Sequence, residues 1–138
     1  MKKLIIFATV IFAFCSCGPE PENTRIDYIT KNISSHNVNL LVFYKNYNNK
    51  DTLFSIPSKV EIKQSYINQD VDCPFNLNYD SAYTIFDNVK QTIYRRNDGN
   101  VRNILNVKNY ITIKFTESQI IYLYDITDED YANAIPLK

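Results

Sequence analysis

The chain has no tryptophan, one histidine, two glycines and three cysteines in 138 residues. Each shortage narrows the chemistry. Gly18 and Gly99 are too far apart to build a glycine-rich phosphate loop. His36 is flanked by Ser34, Ser35 and Asn37, which are turn-forming residues. A histidine-based acid–base or metal site needs partners that this neighbourhood does not supply. Cys15, Cys17 and Cys73 form no C-x-x-C pair, and nothing around Cys73-Pro74-Phe75 has the form of a protease or redox motif. Cys73 therefore reads as a half-buried thiol rather than as a nucleophile for His36. Charge of either sign is not in excess, with 15 basic and 15 acidic residues. No basic field exists to hold nucleic acid or anionic lipid. Arg95, Arg96 and Arg102 are broken up by Asp98 and read as a solvated loop.

Long apolar runs are also scarce. The one that stands out, Leu4 to Phe14, follows Lys2 and Lys3 and is interrupted only by Thr9. As a helix it spans about 16 Å, against a bilayer core of about 30 Å. That length fits the apolar region of a secretory signal and not a membrane span. The run ends in Phe14-Cys15-Ser16-Cys17-Gly18. This stretch resembles the lipobox of bacterial lipoproteins, with Phe14 where leucine is common. The resemblance implies cleavage between Ser16 and Cys17, then a diacylglycerol and an acyl group such as palmitate on Cys17. Several acyl chains make attachment stable where one is marginal. A plain signal peptide is the other reading, with Cys17 free to form a disulfide with Cys73.

Removing residues 1–16 from 138 leaves 122, enough for one domain. The loss of Lys2 and Lys3 turns a net charge of zero into about −2. Residues 17–24 then comprise the lipidated cysteine and a linker, Gly18-Pro19-Glu20-Pro21-Glu22-Asn23, which holds no apolar side chain and cannot pack. Acids soon after a lipidated cysteine are similar to a surface-export signal of Bacteroidetes-type lipoproteins.

From residue 25 to 138 the pattern has period two. Tyr (11) and Phe (8) are abundant, with Ile, Val and Thr, and they favour strands. Asparagine takes the place of glycine at turns, because it tolerates positive φ. Tyrosines suit sheet faces, with the ring packed and the hydroxyl wet. Strands are predicted over 25–30, 38–44, 52–56, 59–63, 81–86, 89–94, 110–115 and 120–126. Residues 65–78 read as irregular, with Phe75 plugging the core edge. Asp87-Asn88 reads as a two-residue hairpin turn, and Ile104-Leu105 as a turn of helix. Thr127 caps a short helix with Asp128, Glu129 and Asp130 in its first turn, and Pro136 ends it. The fold expected is all-β: an immunoglobulin-like antiparallel β-sandwich of seven to eight strands with a short C-terminal helix. A partly open barrel is the alternative.

Three clusters resemble small Bacteroidetes-type lipoproteins of unknown function. They are Asp80-Ser81 with Ile85-Phe86-Asp87, Arg102-Asn103-Ile104-Leu105, and Tyr122 to Thr127 with Glu129-Asp130-Tyr131. The likeness implies a cell-envelope address and a β-rich fold, and no activity. Asp87-Asn88-Val89-Lys90 departs from the Asp-Asp-Gly-Lys-like turn of that family. Asp51-Thr52-Leu53 and Asp80-Ser81-Ala82 resemble the O-glycosylation pattern of such bacteria, at Thr52 and Ser81.

Asp125, Asp128, Glu129 and Asp130 lack the spacing of a calcium loop and read as helix-capping acids. No catalytic residue, metal or cofactor is therefore assigned. The function expected is a lipid-anchored, non-catalytic binding or accessory module of the outer membrane, facing the periplasm or the cell surface. Its partners are the membrane, through the anchor, and a protein or glycan ligand. The alternatives are a small carboxylate-dependent hydrolase and a structural subunit of a larger envelope complex.

Overall fold

A computed structural model describes residues 23–45, 51–67, 74–75, 79–96, 98–99 and 102–137. Among the described residues, nine strands form two sheets. They are β1 (Arg25–Asn32), β2 (Val38–Tyr44), β3 (Thr52–Ile56), β4 (Glu61–Ile67), β5 (Tyr79–Phe86), β6 (Lys90–Arg95), β7 (Ile111–Phe115), β8 (Gln119–Ile126) and β9 (Ile135–Pro136). Helix α1 (Asp128–Asn133) lies between β8 and β9, and a 3-10 turn spans Val107–Asn109. The first sheet has the order β4-β1-β8-β7 and the second β3-β2-β5-β6-β9.

Alternation decides what is buried. On β2, Val38, Leu40 and Val42 point inward, and on β5 Ala82, Thr84 and Phe86 do. Across from them stand Tyr28 of β1 and Tyr124 and Ile126 of β8. Face-to-face packing of two such sheets is the sandwich that the alternation predicts. Its architecture is immunoglobulin-like in having two layers, while its strand order differs from the ABED and CFG sheets of that fold. All neighbouring strands run antiparallel except β1 and β8, which are parallel along their whole length, from Arg25 opposite Gln119 to Asn32 opposite Ile126.

Several boundaries move. β4 continues through Ser65 to Ile67, where an irregular segment was expected, because Tyr66 turns inward to the core and Ser65 outward to bond Asp27. Val60 lies outside β4 and is exposed. The β5–β6 turn holds three residues, 87–89, between the paired Phe86 and Lys90, not two. Its tip uses left-handed backbone at Asp87 (φ 48) and Asn88 (φ 58), as does Lys59 (φ 68) in the β3–β4 connection. Ile104 and Leu105 form a non-helical turn and are fully buried. The two residues at 135–136, expected as the end of the helix, add a short edge strand to β6.

Five tyrosine hydroxyls, expected to be wet, are bonded to backbone carbonyls instead. Tyr79 donates to the Leu105 carbonyl at 2.9 Å, Tyr110 to Ile104 at 2.9 Å and Tyr124 to Arg102 at 2.7 Å. Tyr44 and Tyr66 donate to the carbonyls of Phe75 and Pro74, at 3.2 and 3.1 Å. Burial pushes the Tyr124 phenol far above its ordinary range, so it stays protonated and remains a donor.

On the outer face of the first sheet the Asp27 side chain is fully buried beneath longer neighbours. Its carboxylate accepts from Arg25 Nε (2.8 Å), Lys63 Nζ (3.0 Å), Ser65 Oγ (2.6 Å) and Gln119 Nε2 (2.7 Å). These donors come from β1, β4 and β8, so one side chain ties three strands. Burial alone raises the Asp27 pKa; the bonds from Ser65, Arg25, Lys63 and Gln119 together outweigh it and hold the group well below the usual carboxylate range.

Two expectations follow. Tyr79→Phe strands the Leu105 carbonyl and lowers stability by about 1–2 kcal/mol in urea denaturation, whereas Tyr83→Phe on the outer face changes it by no more than about 0.5 kcal/mol. Equal effects would show that ring packing, not the hydroxyl, matters. Asp27 is depressed in the folded state, so its contribution is present above its unfolded pKa near 3.8 and is lost as pH falls further. Asp27→Asn should lower the melting temperature at pH 7 and flatten its acid dependence below pH 4; an unchanged acid limb would remove Asp27 from that role.

Candidate functional site

The chain's sole histidine is brought to one end of the sandwich, where four connections meet. These are residues 33–37 between β1 and β2, 57–60 between β3 and β4, 87–89 between β5 and β6, and the β8–α1 junction. Asn32 builds this end. Fully buried, it donates to the carbonyls of His36 and Ile56, both at 2.8 Å, and its amide oxygen accepts from Ser34 Oγ (2.6 Å) and Ser34 N (3.1 Å). The Ile126 carbonyl accepts from Ile33 N and Ser34 N, and Asn32 N donates to Val60 O. Backbone that leaves a ladder must find partners elsewhere, and here one asparagine and one strand end provide them.

On that frame His36 Nδ1 lies 2.6 Å from Asp87 Oδ2, and Asp87 Oδ1 accepts from Asn37 N at 2.8 Å. The His36 ring stacks on Tyr131 of α1, with centroids 3.5 Å apart and planes 15° from parallel. Tyr131 in turn meets Phe86 of the core edge-on, and Lys90 Nζ sits 4.4 Å from its centroid. Asp128 accepts from Ser35 N (2.7 Å) and Ser35 Oγ (2.9 Å). The hydrogen bond from His36 and that from the Asn37 amide hold the Asp87 pKa below its ordinary value; those from Ser35 do the same for Asp128. Around this polar centre the connections expose Ile33, Val60 and Val89, with Ile135 and Leu137 beside Val89.

A carboxylate bonded to an imidazole is the orienting half of a hydrolytic triad. The remaining half is a hydroxyl on the second ring nitrogen, and among the described residues no side chain bonds it. Ser34 is committed to Asn32 and Ser35 to Asp128. What the arrangement offers is a rigid surface of donors, acceptors and one aromatic stack, rimmed by apolar side chains. Such a surface suits recognition.

The other candidates lie apart. Asp130 closes a capping box with Thr127 and takes Arg102 on both oxygens, at 2.5 and 2.7 Å. Arg102, expected in a solvated loop, is thus an anchor: it also donates to the Asp125 carbonyl at 2.6 Å, and the Asp130 bond raises its pKa. Arg95 and Arg96 line a shallow depression of about 220 Å³ with Lys45, Asp80 and Asp98. Asp125, Asp128, Glu129 and Asp130 do not converge, and no three metal-binding side chains cluster among the described residues. Thr52 begins the edge strand β3, whereas Ser81 sits inside the second sheet between Phe43 and Arg95. Ser16, Cys17 and Cys73 lie outside the described residues.

The pairing of His36 with Asp87 spans 51 residues, which is why neighbouring sequence gave no sign of it. No protein-family model, curated protein or solved structure matches the chain.

If Asp87 holds the loop, Asp87→Ala should speed hydrogen exchange at the Asn37 amide about tenfold, while Asp87→Asn, which tolerates the same left-handed turn, should retain part of the protection. Unchanged exchange in Asp87→Ala would mean that Asn32 alone fixes the loop.

Proposed function

We propose that this chain is a lipid-anchored lipoprotein of the cell envelope, held in the outer membrane by Cys17. In this reading its sandwich is a non-catalytic binding or accessory module for a protein or glycan. The observation that carries the reading is the stretch Phe14-Cys15-Ser16-Cys17-Gly18 at the end of a short apolar run behind Lys2 and Lys3. The geometry of the domain supports it. Arg25 opens β1 beside the β7–β8 turn, and His36 follows the far end of the same strand. Eight residues of strand are roughly 23 Å long. A domain tethered through residues 17–24 therefore carries the His36–Asp87 end a strand length from its point of attachment, where a ligand has access.

Cys17→Ala is expected to move the protein from the membrane fraction to the soluble fraction and to abolish labelling by palmitate. Retention of Cys17→Ala in the membrane fraction would sink the proposal.

A further inference from the structure

The strand that ends beside the start of β1 is the most exposed of the longer strands in the sandwich. All five residues of β7 are exposed, and its large apolar side chains are among the least covered: Phe115 is 76 % exposed, Ile111 64 % and Ile113 52 %. β7 is an edge strand, bonded to β8 alone. Ile113 is an extra residue in the ladder, since Thr112 faces Tyr122 and Lys114 already faces Ile121. Such a bulge discourages pairing with another strand.

The point where the tether joins is fixed against this strand. Arg25 N donates to Ser118 O and Thr24 Oγ1 to Glu117 O, both at 3.0 Å, in the turn that directly follows Phe115. From Cys17 to Arg25 the chain reaches at most about 28 Å, and β7 is roughly 13 Å long. The whole edge therefore lies within reach of whatever surface holds Cys17. Exposed apolar residues on the far connections are a strand length away, and Leu53 and Ile67 stand singly on β3 and β4.

We propose that the β7 edge, through Ile111, Ile113 and Phe115, rests on the lipid bilayer that carries the Cys17 anchor. The inference depends on the anchor proposed above. A protein partner fits less well, since stable protein interfaces take about 20–30 residues a side and the edge offers five. A bilayer has no such minimum, and its interface accepts apolar side chains beside lysines that reach the headgroups. Lys108 is exposed just before the strand, and Lys114, whose ammonium donates to Gln119 Oε1 at 2.6 Å, stands between Ile113 and Phe115.

The absence of tryptophan makes the test direct. The full chain with Phe115→Trp, and separately with Val89→Trp at the opposite end, is purified from bacterial membranes. Each is reconstituted into phosphatidylethanolamine–phosphatidylglycerol vesicles, and the mass of the Cys17 peptide is measured. Emission from Trp at 115 should shift to the blue, and lipids brominated near the headgroup should quench it about twofold or more relative to Trp at 89. Equal quenching at both sites, with the lipid mass present on Cys17, overturns the edge contact and leaves the anchor standing. A Cys17 peptide without lipid overturns both. A blue shift that grows with protein concentration in the absence of vesicles identifies a second copy as the occupant and overturns the proposal.

Discussion

The sandwich depends on finding donors for backbone carbonyls in segments that have no strand partner. Residues 74–75 and 102–105 lie against the core without a ladder of their own, yet Phe75, Ile104 and Leu105 are fully buried. A buried carbonyl with no donor costs about 1–3 kcal/mol. Five tyrosine hydroxyls meet that need, from β2, β4, β5, β8 and the residue before β7. Phenylalanine fills the same space without a donor. The abundance of tyrosine is therefore a consequence of closing a β-sandwich with irregular chain, and its rings and hydroxyls serve different parts of the fold.

Asparagine does related work where the chain turns. Asn103, fully buried, donates to Arg95 O at 2.8 Å and to Asp98 O at 3.3 Å, and accepts from Leu105 N at 2.9 Å. Asn32 holds the opposite end in the same way. With two glycines in the whole chain, left-handed backbone among the described residues falls to Lys59, Asp87 and Asn88. Asparagine and aspartate tolerate that region better than most residues. Asp87 then gains a second use, because the turn that bends its backbone also aims its carboxylate at His36 and the Asn37 amide.

Period-two alternation made the two-layer fold legible, because fully buried and less buried positions alternate along β2 and β5. It failed where the outward residue was itself satisfied. Ser65 looked like a loop residue, but it is a strand residue bonded to a buried aspartate. The capped helix was legible because Thr127 and Asp130 are three residues apart. The partners of His36, Asp27 and Arg102 were not, since each pairs across tens of residues or between strands. Parallel pairing of β1 with β8 was equally hidden: alternation records which face is buried and says nothing about the direction of the neighbour.

That parallel pair also sets how the two ends of the molecule relate. β1 is bonded along its length to β4 on one side and to β8 on the other, and Asp27 ties the same three strands near the Arg25 end. At the other end the Ile126 carbonyl of β8 takes the amides of Ile33 and Ser34, which lead to His36. The strand that begins at Arg25 and the loop that carries His36 are thus joined through the continuous backbone bonding of β1 and β8. If the β7 edge lies against a surface, the direction of the histidine end is fixed along with it.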